Sequence, residues 1–344
     1  MEAEFKKYTL NFKEPGGTSR GVLHTKDTWL LKLKDGPSIG YGECSLFKGL
    51  SADDRPEYQD KLKWLAHNVN ETPSSVLKEL EEFPSIQFGY ETALSSLRSE
   101  NPFQIFPSKF SKGLDSIPIN GLVWMGSIGF MKKQIREKID SGFNCIKLKI
   151  GALEFSEELN LLASIRKDYS KNDLELRVDA NGAFAPQEAL DKLKRLADFG
   201  LHSIEQPIKA GQWEQMAELC ASSPLDIALD EELIGIFNPE LKYKLLQRIR
   251  PNYIILKPAL VGGFKGSEEW IDLAESLNIG WWITSALESN IGLNAIAQWT
   301  YELNTKAIQG LGTGSLFSNN FDSPLIVSQG KLHYQPELDW ELNF

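Results

Sequence analysis

The chain has 344 residues, of which 42% are hydrophobic and 24% charged, a composition that supports a large core and excludes a disordered chain. Asp plus Glu number 47 against 37 Lys plus Arg, a net charge of −10, which argues against nucleic acid and anionic membrane surfaces as partners. A small carboxylate substrate stays open, because a few buried cations can dominate one pocket. Cys44, Cys145 and Cys220 are too far apart for a disulfide framework or a metal-ligand spacing, so a reducing, cytoplasmic location is expected. The start, Met1 to Lys7, lacks an apolar leader, and no run approaches the roughly 18 apolar residues of a membrane span.

Trp29 to Lys34 reads as a strand, Asp35-Gly36-Pro37 as a turn, and Ser38 to Cys44 as a second strand. The pair suggests a hairpin with a connection longer than two residues. Helical spacing follows over 55–70, 74–82 and 89–98, which together predicts a small α+β unit over residues 1–110. Pro102 and Pro107 mark the connection out of it. From there a regular alternation sets in. Strand-like segments begin near Ile117, Cys145, Leu174, Leu201, Asp226, Tyr253, Trp281 and Ala307. Helix-like segments fill the gaps over 127–141, 156–169, 187–199, 212–222, 239–249, 265–278 and 291–304. Eight strands and seven helices predict a (β/α)7β TIM-like barrel over 111–319. An open doubly wound sheet is the runner-up, but Met125-Gly126-Ser127 after the first strand is not a dinucleotide fingerprint. Residues 320–344 show no final helix and are expected to pack back on the first unit as a C-terminal tail.

Charged residues recur at the C-terminal ends of the barrel strands: Lys147 and Lys149, Arg177 and Asp179, Glu205, Asp230, and Lys257. Strand alternation puts Lys147 and Lys149 on one face, with Ile146 and Leu148 on the other. The charges therefore point into the barrel, at the end where barrel active sites are built. Asp179, Glu205 and Asp230 converge from neighbouring strands, and three adjacent anions need a cation. An all-oxygen donor set favours a hard ion, Mg2+ first and Mn2+ as a substitute. Lys149 and Lys257 fall on strands two and six, which face each other across eight strands. One neutral lysine could move a proton while the other stays cationic. Lys147 and Arg177 lie deeper and are assigned to orienting the outer groups. Asn181 and Gln206 read either as turn residues or as supports of the ligands. Glu231 follows Asp230 and is expected to point away and act on the site from behind.

The segments IKLKIG (146–151), RVDANGAF (177–184), IEQPI (204–208), ALDEEL (228–233) and ILKPALVGG (255–263) resemble the enolase superfamily, in its muconate-lactonising-like subgroup. ITSALESNIGL (283–293), GLGTGSLF (310–317) and SRGVLHTKDTWLL (19–31) are similar to the o-succinylbenzoate synthase family within it. The resemblance implies an α+β capping domain before the barrel. It implies Asp179, Glu205 and Asp230 as metal ligands, Lys149 as the proton-transferring group and Lys257 as the cation opposite. It also implies the dehydration of 2-succinyl-6-hydroxy-2,4-cyclohexadiene-1-carboxylate. Ser285, Ser289, Gly312 and Thr313 are then expected around the succinyl arm. The subgroup also contains racemases of N-acylamino acids, which use much the same lysines and stand as the alternative. Dipeptide epimerases carry an Asp-x-Asp pair where this chain has Gly312-Thr313-Gly314, which disfavours that activity.

Overall fold

The computed structural model describes residues 1–342. The chain opens with a three-stranded antiparallel sheet in the order β1 (Glu2–Thr18), β2 (Gly21–Asp35), β3 (Ser38–Cys44). Helices Tyr58–Asn68, Pro73–Glu79 and Pro84–Arg98 cover one face and enclose a core of Leu31, Leu33, Leu62, Leu65, Ile86 and Tyr90. Three expectations are corrected here. β2 and β3 pair as far as Asp35 and Ser38, so the connection is the two residues Gly36-Pro37, with Gly36 at φ +56°. A glycine with positive φ in first place is what a two-residue hairpin uses. β2 begins at Gly21 rather than Trp29, because β1, absent from the sequence reading, extends the ladder to Thr18↔Gly21. The third helix begins at Pro84 rather than residue 89.

The second unit is a parallel sheet in the order β11-β10-β9-β8-β7-β6-β5. Before it comes β4 (Ser116–Pro118); its members are β5 (Gly121–Val123), β6 (Cys145–Lys149), β7 (Glu175–Asp179), β8 (Ser203–Glu205), β9 (Ile227–Leu229), β10 (Tyr253–Leu256) and β11 (Gly280–Ile283). The eighth strand is reduced to Gln309 and Gly310, which bridge Ile119 beside β5 and Thr284 beside β11. This two-residue segment joins the sheet edges and gives the (β/α)7β barrel behind its α+β cap. Outward residues Ile146, Leu148, Val178 and Ile204 enter one large core with the surrounding helices. The first barrel strand is Gly121–Val123, not the segment at Ile117. Ile117 lies in β4, which pairs with the tail strand β13 (Lys331–Tyr334), itself paired with β12 (Leu325–Ser328). The tail also touches the cap: Phe321 meets Tyr8 at 4.9 Å between ring centroids. Residues 343 and 344 of that tail lie outside the described residues.

Candidate active site

Register builds the site. Lys149 lies opposite Asp179, and Asp179 opposite Glu205, across β6, β7 and β8. Asp230 and Lys257 stand one residue beyond β9 and β10. Asp179, Glu205 and Asp230 each place a carboxylate oxygen within 4.8 Å of the others, and all three are buried. Three ammonium groups answer them. Lys147 Nζ lies 2.5 Å from Glu205 Oε2 and 3.1 Å from Asp179 Oδ2. Lys149 donates to Asp179 and, at 3.0 Å, to Asn181 Oδ1. Lys257 donates to both oxygens of Asp230, at 2.7 and 2.5 Å.

Burial dominates the electrostatics. It pushes the Lys149 ammonium below its ordinary range; Asp179 opposes this, and Lys147 and Lys257 add to it. Burial pushes Lys147 down as well, but Glu205, Asp179 and Asp230 outweigh it and hold Lys147 cationic. Burial and the neighbouring carboxylates push Glu205 up to about 8, against the pull of Lys147. Its Oε1 is buried with no hydrogen-bond partner among the described residues. An orphaned oxygen within a three-carboxylate cluster fits a bound cation, and the all-oxygen donor set fits a hard one.

The loops after the strands hold the ligands in place. Asn181 stands at φ +46°, donates its N–H to Asp179 Oδ1 at 2.9 Å, and passes its amide to Glu231 Oε1 at 2.9 Å. Gln206 Oε1 accepts the N–H groups of Asp230 and Glu232, both at 3.2 Å, so both residues are turn and support at once. Glu231 does not point away. The strand ends at Leu229, Glu231 opens a single 3₁₀ turn, and alternation no longer applies. Its carboxylate meets Asn181 and Arg20 instead. Among the described residues Arg177 makes no hydrogen bond or ion pair with the ligands. It bonds Glu175 at 2.8 Å and the Ile308 carbonyl at 3.0 Å, and lies over Trp282.

A cavity of about 670 Å³ opens over Lys147, Lys149 and Lys257, walled by Leu23, Phe47, Trp124, Leu287, Gly312 and Thr313. Ser285 also lines it, whereas Ser289 does not. Ser289 caps the helix Asn290–Glu302 and bonds Glu43 of the cap at 2.5 Å. The tip of the β1–β2 hairpin lies at the rim of the cavity: Ser19 donates to the Ala180 carbonyl at 3.0 Å, and Arg20 meets Glu231 at 2.5 Å. Arg20 was not singled out from the sequence. Only the folded hairpin carries it across to Glu231.

A model of the family described as enolase C-terminal domain-like matches residues 131–337. The chain is 47% identical to o-succinylbenzoate synthase of Desulfotalea psychrophila, over 96% of this chain and 98% of that protein. It is 25% identical to L-Ala-D/L-Glu epimerase of Bacillus subtilis, over 87% of this chain and 84% of that protein. The crystal structure of MenC from Desulfotalea psychrophila is similar with a TM-score of 0.86 and 43% identity, covering 97% of this chain and 99% of that one. The barrel, the motif residues at its strand ends and this full-length likeness agree, and the chain belongs to the o-succinylbenzoate synthase family of the enolase superfamily.

Proposed function

We propose that the chain removes water from 2-succinyl-6-hydroxy-2,4-cyclohexadiene-1-carboxylate to form 2-succinylbenzoate, a step of menaquinone synthesis, with Mg2+ at the carboxylate triad. The observation that carries the reading is the pair Lys149 and Lys257 on facing strands, with Asp179, Glu205 and Asp230 on the arc between them. The likeness to the Desulfotalea psychrophila enzyme selects the substrate. Asp179, Glu205 and Asp230 would hold the cation, which when bound supplies Lewis-acid polarisation of the substrate carboxylate. Lys149 removes the proton beside that carboxylate; its lowered proton affinity suits a base. Charge spreads onto the carboxylate as an ene-diolate, and the Lys257 ammonium stabilises it from the other side. Lys149 then returns its proton to the departing hydroxyl on the same face. Aromatisation of the ring makes the loss of water favourable. The three free cysteines, two of them buried, fit a reducing cytoplasm.

The second lysine supports one other reading. Two lysines on opposite faces of a carbon can exchange its proton in both directions, which is the requirement for an N-succinylamino-acid racemase. Purified protein offered both substrates with Mg2+ separates the two. Dehydration should exceed racemisation by about 100-fold or more in kcat/KM. Racemisation equal to or faster than dehydration would transfer the assignment.

A further inference from the structure

A buried polar cluster joins the cap to the cavity wall and plays no part in the chemistry above. Lys26 on β2 and Glu43 on β3 come from the cap, while Ser285 and Glu288 follow β11 and Thr313 follows the segment that closes the barrel. Lys26 is 6% exposed, and Glu43 and Glu288 are 0% exposed. Lys26 and Glu43 are the charged groups that face Glu288.

The two carboxyls have different surroundings. Glu43 accepts the Thr28 hydroxyl at 2.9 Å, the Ser289 N–H and hydroxyl at 3.0 and 2.5 Å, and the Gly292 N–H at 3.0 Å. It also sits at the N-terminus of helix Asn290–Glu302, which favours an anion. Gly292 makes the approach possible, since a Cβ there would stand 2.8 Å from Glu43 Oε2. Glu43 is the anion that balances Lys26. Glu288 meets the Ser285 hydroxyl at 2.5 Å, and its Oε1 has no hydrogen-bond partner among the described residues. A buried carboxylate with one side-chain donor and an orphaned oxygen carries a heavy desolvation cost that a neutral acid avoids. Burial pushes the Glu288 carboxyl up, Lys26 opposes this, and Glu43 adds to it.

The proton on Glu288 sets the direction of a chain of hydroxyls. Ser285 Oγ lies 2.7 Å from Thr313 Oγ1 and accepts the Leu287 N–H at 3.0 Å. With Glu288 ionised, Ser285 donates to it, Thr313 donates to Ser285, and Thr313 offers only lone pairs to the cavity. With Glu288 neutral, Glu288 donates to Ser285 and Ser285 donates to Thr313. The Thr313 hydrogen is then free for the cavity, which Ser285 and Thr313 line and Glu288 does not. We propose that Glu288 is a positioning residue that keeps its proton and thereby makes Thr313 a hydrogen-bond donor to the succinyl carboxylate, an assignment that rests on the dehydratase reading above.

Kinetics and 2-succinylbenzoate binding against pH, on the whole protein with Mg2+, test it. In the wild type KM and product Kd should rise about tenfold as Glu288 ionises, with kcat nearly constant, as expected for one hydrogen bond to a charged group. Glu288→Gln keeps a donor to Ser285 without a titrating proton, and should hold low KM and Kd at every pH. Thr313→Val should raise both about tenfold and make them flat with pH, reading the same chain without touching Glu288. Infrared difference spectra of ligand-free wild type against Glu288→Gln should show a protonated carboxyl band at neutral pH. Absence of that band, a tenfold higher KM in Glu288→Gln at low pH, or a Thr313→Val profile with the wild-type pH dependence overturns the proposal. Product binding without any turnover of the cyclohexadiene acid overturns the dehydratase reading instead, and the infrared band still decides the state of Glu288.

Discussion

Lys149 and Lys257 are the same residue type but meet different partners, and this separates their roles. Lys149 shares its hydrogens between Asp179 and the neutral Asn181, whereas Lys257 is clasped by both oxygens of Asp230. Lys147, held cationic by Glu205 and Asp179, cannot replace Lys149 as a base. Lys149→Ala should therefore lower dehydration by about 10²- to 10⁴-fold, the usual contribution of a positioned base. Lys257→Arg keeps a cation with altered reach and should lose less than Lys257→Ala. Solvent-deuterium exchange into an N-succinylamino acid, which cannot dehydrate, tests the facing geometry. Lys149→Ala should stop exchange from one enantiomer and Lys257→Ala from the other. Unchanged exchange in both variants would sink the arrangement.

Among the elements, β3 and the helix Pro84–Arg98 approach closely, and glycine permits it. A Cβ on Gly42 would stand 2.0 Å from the Gly89 carbonyl oxygen, and one on Gly40 2.3 Å from the Ala93 oxygen. Gly89 returns the fit, since its own Cβ would meet Cys44 Sγ at 2.4 Å. Backbone cannot yield as a flexible side chain can, so the helix would have to move off the sheet. Gly42→Ala should destabilise the protein by ~1–3 kcal/mol through overpacking. A lower urea midpoint with an unchanged slope is the expected result. Turnover per folded molecule should stay near wild type, because the lysines and carboxylates belong to the barrel.

Over the whole molecule, the cap is tied to the barrel at several separate places. Gln87 donates to the Gly262 carbonyl at 2.7 Å, Glu91 accepts the Phe264 N–H at 2.6 Å, and Tyr8 donates to the Asn319 carbonyl at 2.6 Å. Strain within the cap is therefore felt in the stability of the whole chain. Asp53 is one such source. It is 0% exposed, and burial pushes its carboxyl up to about 6 despite two hydrogen bonds from Ser85. A raised carboxyl costs stability when ionised. The cost is absent below the unfolded value of 3.8, grows as pH rises to about 6, and is complete above it. Its full size is ~3 kcal/mol at about 1.4 kcal/mol per unit. Asp53→Asn keeps the acceptor for Ser85 and should be more stable than wild type at pH 8, with the advantage shrinking as pH falls to 4. Urea unfolding at both pH values checks this, and an advantage that grows toward pH 4 would contradict it.

The barrel and the convergence of charged side chains at its strand ends were legible in the sequence because both rest on short-range periodicity. Alternation within Cys145–Lys149 and Glu175–Asp179 is enough to send Lys149 and Asp179 inward and Leu148 and Val178 outward, and the register confirms the direction. The long β1 was hidden because its apolar residues change face midway. Ala3 and Phe5 pack toward the cap helices, whereas Tyr8, Leu10 and Phe12 pack toward the barrel and tail, so no single period of two runs through it. Ile117 looked like the first barrel strand because it is apolar, but its partner, Leu332, is more than two hundred residues away. Glu231, Ser289 and Arg20 depended on contacts of the same kind. Glu231 turns into the site because a 3₁₀ turn ends the alternation, Ser289 is taken by Glu43 of the cap, and Arg20 reaches Glu231 only from the folded cap hairpin. A strand's period is set by its own backbone and can be read from neighbouring residues. The pairing of a hairpin tip, a cap carboxylate or a tail strand with the barrel is set by packing between distant segments, and only the tertiary structure decides it.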